Sequence, residues 1–390
     1  MPRPGRVVCS TVITLFLMLA LAGPGPAPGD DLSRLEGVVA DALGHPLEAA
    51  SVTLRGEGMQ PATVVTAADG SFRFWGVKAV SGYRIAAAKP GYRTVEYDGM
   101  RLESGRKRTV RFRLKQPDER DAVVLVSRDP FPYADLVSGF LDGLPVPARV
   151  IDLDAEPDPA EAVRHVAAEK PNVILAAGLL AGQLVRSEVR DIPSILTLID
   201  DPRRYDLAAA NICFLANNAD PAEVVVRLVT LLPHVRRIGL LYDAGRSTLL
   251  ARDLMAAAEA RALEVQLRPC YDPAHVRAAL ADLVDRIDVL LVFYDPLTVD
   301  PVAMNEITGW GLRHRVAVMA AQADWVRHGA LLSYGVPLAR LGAQVRGMAA
   351  ELFSGSRHPE EIGLRLPLEP ALEINRTTAT LIGVSLPGPE

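Results

Sequence analysis

The spacing of hydrophobic positions changes once along the chain. Between residues 32 and 115 it has a period of two. Val110, Phe112 and Leu114 fall on one side of a run whose other side is Thr109, Arg111 and Arg113, the signature of a half-buried strand. Phe72 and Phe74 alternate with Ser71 and Arg73 directly after Asp69-Gly70, a hairpin-type turn signal. Asp41-Ala42-Leu43-Gly44 and Lys89-Pro90-Gly91-Tyr92 mark further turns. Short strands about ten residues apart, with turn chemistry between them, predict an antiparallel β-sandwich over 32–115.

A polar segment, Leu114-Lys115-Gln116-Pro117-Asp118-Glu119-Arg120, closes that pattern and reads as a domain boundary. From 120 to 390, runs that are apolar on nearly every residue alternate with amphipathic stretches. The strands expected are Ala122–Val126, Ala148–Leu153, Val173–Ala177, Ser194–Ile199, Arg237–Tyr242, Val265–Arg268, Val289–Tyr294, Ala317–Ala320 and Ala330–Tyr334. Such runs suit strands buried on both faces of a parallel sheet. Helices are expected between them, for example over Leu249–Leu263 and Ala274–Val284. Repeated βα units need helices on both sheet faces, and nine strands suit two Rossmann-like lobes better than one sheet.

Asp158-Pro159-Ala160-Glu161 and Asp220-Pro221-Ala222-Glu223 put Asp at a helix N-cap, Pro at the first helical position and Glu at the third. Asp272-Pro273 and Asp300-Pro301 repeat the first two elements. Capping explains these four carboxylates, so they are not candidates for acid–base chemistry.

Residues 1–29 differ in kind. Arg3 and Arg6 precede an apolar run from Val7 to Ala22, Ala20 and Ala22 form a small-residue pair, and Gly23-Pro24-Gly25-Pro26 follows. This is the layout of a secretory signal; the alternative is an uncleaved membrane anchor, for which the run is slightly short. The expectation is a periplasmic or secreted chain with no membrane insertion after cleavage.

The sequence is 49% hydrophobic and 23% charged, enough apolar material for real cores, which excludes global disorder. A net charge of −5 and 5% aromatics speak against a general nucleic-acid surface. Three cysteines without a CxxC pair exclude a zinc framework. Cys213 and Cys270 remain after cleavage; they either pair or stay as buried thiols, the second being favoured. GxGxxG after a strand, GxxxxGK[ST], HExxH and GxSxG are absent, so no cofactor, metal or enzymatic activity is expected. His45 stands alone in a turn.

Two resemblances follow from ordered motifs. Gly37-Val38-Val39, Asp41, Gly44, Pro46-Leu47, Ala50, Val52-Thr53-Leu54, Thr66-Ala67-Ala68-Asp69-Gly70-Ser71-Phe72 and Ala88-Lys89-Pro90-Gly91-Tyr92 resemble the carboxypeptidase regulatory-like (transthyretin-like) domain. That module is non-catalytic in its family and serves as stabiliser, spacer or contact surface. Over 120–390 the chain resembles the ABC-transporter substrate-binding family that includes tryptophan- and tyrosine-binding proteins. The matching pieces are Pro193-Ser194-Ile195 leading to Asp201-Pro202, Leu232-Pro233 through Arg237-Ile238-Gly239-Leu240-Leu241-Tyr242, Gly329-Ala330-Leu331-Leu332-Ser333-Tyr334-Gly335 with Leu341-Gly342, and Leu372-Glu373-Ile374-Asn375 through Gly383-Val384-Ser385-Leu386-Pro387. One departure is Asn211-Ile212-Cys213-Phe214, where the family carries Asn-Ile-Thr-Gly.

The resemblance implies a type I periplasmic-binding fold, two lobes closing on a small molecule. In open parallel sheets ligands sit beyond the carboxyl ends of the strands. The nominated contacts are therefore Ser127, Arg128, Gly178, Leu179 and Thr197 in the first lobe, and Asp243, Tyr294, Asp295 and Gln322 in the second. Each has a structural rival: a helix cap for Ser127, a surface ion pair for Arg128, turn roles for Asp243 and Asp295, core packing for Tyr294. The function expected is an exported binding protein that delivers a small polar solute, of amino-acid or related class, to an ABC permease. The alternative is an envelope sensor or scaffold in which the sandwich contacts a partner.

Overall fold

A computed structural model of the protein describes residues 32–127 and 133–386. The expected signal segment, Arg128 and Pro387 lie outside the described residues.

The first body is the sandwich. Its strands are β1 (Leu32–Asp41), β2 (Ser51–Arg55), β3 (Ala62–Val65), β4 (Ser71–Lys78), β5 (Tyr83–Ala88), β6 (Val95–Met100) and β7 (Lys107–Leu114). They form two sheets, ordered β4-β1-β7 and β3-β2-β5-β6. All pairs are antiparallel except β1–β7, which is parallel. Alternation delivers the core directly: Phe72, Phe74, Val110, Phe112 and Leu114 point inward with Leu35, Leu54 and Ile85. The Asp69 carboxylate accepts from the Ser71 amide at 2.9 Å and Gly70 takes φ +73°, closing the predicted turn.

Two further sheets follow. The first contains β8 (Ala122–Val126), β9 (Ala148–Asp152), β10 (Val173–Ala177), β11 (Ser194–Thr197), β12 (Ile212–Leu215) and β18 (Leu364–Arg365), ordered β9-β8-β10-β11-β12-β18. The second contains β13 (Arg237–Asp243), β14 (Glu264–Cys270), β15 (Val289–Val292), β16 (Ala317–Ala320), β17 (Leu332–Gly335) and β19 (Ala371–Ile374), ordered β14-β13-β15-β16-β17-β19. All neighbours are parallel except β17–β19. β8, β10, β11, β15 and β16 are buried at every position, as strands covered on both faces must be.

The helices are α1 (Ala134–Leu141), α2 (Pro159–Glu169), α3 (Leu179–Glu188), α4 (Pro221–Leu231), α5 (Thr248–Glu259), α6 (Val276–Ala281), α7 (Pro301–His314), α8 (Asp324–Arg327), α9 (Leu338–Ser354), α10 (Pro359–Ile362) and α11 (Arg376–Ile382). All four Asp-Pro pairs cap as read. Asp158 accepts from Glu161 N–H, Asp220 from Ala222, Asp272 from Ala274, and Asp300 from both Val302 and Ala303.

The chain changes lobe three times. It leaves the first sheet after β12, so α4 packs on the second lobe. It returns after β17, so α9 packs with α1 on the first; after β18 it crosses again to β19. Three segments, 216–220, 336–337 and 366–370, thus join the lobes. Cys213 in β12 and Cys270 in β14 are both free and buried, one in each lobe.

Sandwich and first lobe share a polar junction. The Tyr97 ring stacks on His165 of α2 at 3.8 Å, and its hydroxyl donates to Glu169 at 2.9 Å. Arg108 pairs with Glu161 and Arg149 with Glu169. Lys115, only 3% exposed, donates to Asp121 at 2.7 Å and Asn172 at 3.1 Å, which pins the linker at its outset.

Helices α1 and α9 meet through glycines. A Cβ on Gly342 would stand 2.1 Å from the Leu136 carbonyl oxygen, and one on Gly139 would stand 2.0 Å from that of Ala339. Backbone on both sides leaves nothing flexible to yield, so Gly342→Ala is expected to cost about 1–3 kcal/mol and to lower the urea midpoint. An unchanged midpoint would show that the helices separate freely.

Candidate functional site

The strand order of each lobe reverses between its first and third strands, β8/β10 and β13/β15, and the carboxyl ends there form the crevice of an open α/β sheet. In the first lobe Ser127 follows β8 and is 3% exposed. Its amide donates to Ala177 O at 3.0 Å, and its Oγ accepts from the Ala181 amide at 3.3 Å. Ser127 is therefore a cap, as its structural rival proposed, but for α3 rather than for the helix that follows it in sequence. The reason is Gly178, the N-cap residue of α3, which has no side chain to do so. Gly178 sits at φ +100°, and a Cβ there would lie 2.4 Å from Ser127 Oγ. Only glycine fits. Leu179 and Leu180, half-buried at the start of α3, present first-turn amides that have no intrahelical acceptor.

Thr197 ends β11 at 1% exposure, and its Oγ1 has no hydrogen-bond partner. Leu198 then takes φ +53°, a left-handed turn uncommon for leucine, which brings Asp200 to the lobe junction. The Asp200 side chain is 1% exposed and pairs at 2.5 Å with Arg246 of the second lobe. Burial raises the Asp200 carboxyl to about 7; Arg246 opposes the rise, and Asp295 and Asp243 add to it.

In the second lobe Asp243 ends β13. Its Oδ1 accepts from the Gly245 amide at 2.7 Å, an Asx-turn, and its own amide donates to Asp295 Oδ2 at 2.8 Å. Asp295 is fully buried and also accepts from the Thr298 amide at 3.2 Å. Burial pushes its carboxyl up to about 6. Both aspartates thus shape the turns after β13 and β15. Tyr294 is 2% exposed and packs into the first lobe's core cluster, although it belongs to the second lobe. Its hydroxyl bonds the Gln322 side chain. The Asn218 carboxamide donates to Tyr294 O at 3.0 Å and accepts from its amide at 2.9 Å, clamping the crossover to β15.

Four residues at this junction are absent from the sequence-based nomination: Asp200, Arg246, Asn217 and Asn218. Asn217, in the crossover two residues beyond β12, is 5% exposed with both carboxamide atoms unpartnered. It follows β12, which pairs in parallel with β11, the strand that Thr197 ends. The signal for Asn217 is its place just past an apolar strand, but Ile212–Leu215 is too short to read as one. Arg246 lies three residues past its strand and carried no signal. Trp325 is core at 2% exposure. No cluster of metal-ligating side chains occurs among the described residues.

A second cleft, about 890 Å³, opens between the sandwich and α2. Its charged walls largely neutralise themselves, Arg106 with Glu103 at 3.2 Å and Arg108 with Glu161. Among its lining residues Arg108 Nε is buried without a hydrogen-bond partner, against several such atoms at the lobe junction.

Comparison with known proteins agrees with this architecture. Residues 34–115 match the carboxypeptidase regulatory-like domain. A tyrosine-binding protein of Clostridioides difficile (strain R20291) is 24% identical over 195 residues, 48% of this chain; the match spans only 56% of that protein's length. Among solved structures, an ABC domain from Streptococcus pneumonia in complex with L-Trp is 18% identical with TM-score 0.54, covering 69% of this chain and 96% of that one. A ligand-free, open substrate binding protein with adhesive properties from Clostridium difficile is 19% identical with TM-score 0.55, covering 69% and 97%. These structures share the fold. Residues 153–388 match the ABC transporter substrate binding protein family over more than half of the sequence, and the chain belongs to that family.

Proposed function

We propose that the protein is exported, closes its lobes on an amino acid, and passes it to the permease of an ABC importer. The boundary at 115–120 then separates an accessory sandwich from the receptor proper. The observation that carries this reading is the Asn217 carboxamide. It is buried, its donor and acceptor are both unused, and such groups cost free energy unless something hydrogen-bonds them. Thr197 Oγ1, at the end of β11, is likewise buried and without a hydrogen-bond partner. A zwitterion suits the rest: its carboxylate meets the first-turn amides of α3, its ammonium meets Asp200, and the sequence adds Arg128 as a candidate cationic partner. The tyrosine-binding relative and the tryptophan-bound neighbour make aromatic amino acids the first to test. Tyr294 and Gln322 would order the second-lobe wall.

A thermal-shift screen of the amino acids is expected to give a rise in melting temperature with at least one of them. A ligand at 100 times its Kd adds about 2.7 kcal/mol. Asn217→Ala is expected to weaken that binding about tenfold or more, with no loss of melting temperature in the unliganded protein, because an unsatisfied polar group has been removed. If no amino acid moves the melt, the amino-acid reading fails.

Asp200 predicts a pH signature. Its carboxyl is held near 7 in the folded chain against 3.8 ordinarily, so the folded state binds the extra proton between those values. Stability contributed at this site is complete below pH about 4 and declines as the pH rises through about 7. The melting temperature of the wild type relative to Asp200→Asn is therefore expected to fall across that window. A difference independent of pH would show that Asp200 is ionised throughout.

A further inference from the structure

The net charge of −5 averages two opposite halves. Residues 32–115 hold 14 Lys and Arg against 8 Asp and Glu, whereas 116–390 hold 26 against 37. The sandwich is thus +6 and the remainder −11. The excess gathers on the outer face of the β4-β1-β7 sheet. Alternation turns Arg34, Glu36 and Val38 of β1 outward. Register sets Arg73 of β4 beside Glu36, and sets Lys107, Thr109 and Arg111 of β7 beside Arg34, Glu36 and Val38. A single carboxylate, Glu36, is shared by Lys107 at 2.9 Å, Arg34 at 3.8 Å and Arg73 at 3.9 Å. Arg111 adds a fourth exposed cation. At the rim Trp75 is 66% exposed, with the Arg34 guanidinium over its ring at 5.1 Å. The outer face of the other sheet differs: Arg84 is matched by Asp98 at 3.1 Å, and Glu96 stands on the same strand.

We propose that the outer face of the β4-β1-β7 sheet docks on an anionic lipid bilayer, with Arg34, Arg73, Lys107 and Arg111 over the headgroups and Trp75 at the interface. Four cations around one carboxylate complement an anionic leaflet. An exposed indole has the amphipathic character suited to the headgroup depth. The acidic remainder is repelled by the same surface, so the molecule approaches sandwich first. The surface is independent of the solute site and stands whether or not the amino-acid reading holds.

The test uses the mature chain expected after loss of residues 1–29, which keeps every described element. Co-sedimentation at low salt is expected with vesicles of phosphatidylglycerol and phosphatidylcholine in equal parts, but not with phosphatidylcholine alone. It should be lost at about 0.5 M NaCl. Tryptophan emission should shift to the blue on binding. That shift reports Trp75, because Trp310 and Trp325 are 4% and 2% exposed, and Trp75→Phe should abolish it. The combined Arg34→Gln, Arg73→Gln and Arg111→Gln variant should bind at least about tenfold more weakly with its melting temperature retained, since these side chains are exposed. Three results would each overturn the proposal: no partition into anionic vesicles at low salt, a triple variant that binds like wild type, or retention on heparin without vesicle binding, which would assign the face to a polyanionic polymer.

Discussion

The junction between the lobes depends on an electrostatic compromise. Asp200 comes from one lobe and Arg246 from the other, and contact takes both out of water. Burying such a pair costs several kcal/mol per ion in desolvation, and mutual attraction does not reliably offset it. Here burial outweighs the arginine, because the carboxyl remains raised, with Asp243 and Asp295 adding repulsion. The pair is therefore a poor latch by itself. Under the proposed function this is useful, since a receptor that closed fully without ligand would have no closing free energy left to couple to binding. A ligand cation beside Asp200 would supply the missing attraction, and the carboxylate would then be held ionised. Under the same reading Asn217 and Thr197 would act in the same direction, because their unused hydrogen bonds would be satisfied only with ligand present.

Much of the scaffold was legible because it rests on local rules. Continuous apolar runs located β8, β10 and β16 to the residue, since a strand covered on both faces leaves no polar position to blur its ends. The Asp-Pro pairs were read as caps for a chemical reason, and each carboxylate accepts the amide expected of it. The crossover end of each sheet was less legible, whereas the opposite edges β9 and β14 were read. β12 is four residues long and was taken as a departure from a family motif, while β18 and β19 have four residues or fewer and owe their existence to neighbours supplied by the crossovers. The same limit applies to the site. Gly178 and Ser127 follow strands and were nominated for that, and their mutual close approach explains the glycine. Arg246 and Asp200 matter only because two lobes bring them together, and no pattern within either lobe contains that fact. Asp243 and Asp295 show the converse: a strand-end position with an acidic side chain invites a ligand role, yet local turn hydrogen bonds use both.

Which body would move in the proposed closure follows from what is buried at each junction. The sandwich is joined to the first lobe by the buried ammonium of Lys115, bonded to Asp121 and Asn172, and by the Tyr97 ring stacked between Phe112 and His165. Separating them would expose a buried cation's partners and an aromatic stack together. The second lobe is held by three short segments, the Asn218 clamp on Tyr294 and the ion pairs Asp200–Arg246 and Arg203–Asp253, an arrangement in which a few backbone torsions can absorb a rotation. Sandwich and first lobe should therefore travel as one unit while the second lobe swings. A partner touching the sandwich alone would then feel no difference between open and closed forms, whereas one spanning both lobes would. This argues against the sandwich as the element that reports ligand occupancy, and for its role as the part that positions the receptor where its partner is found.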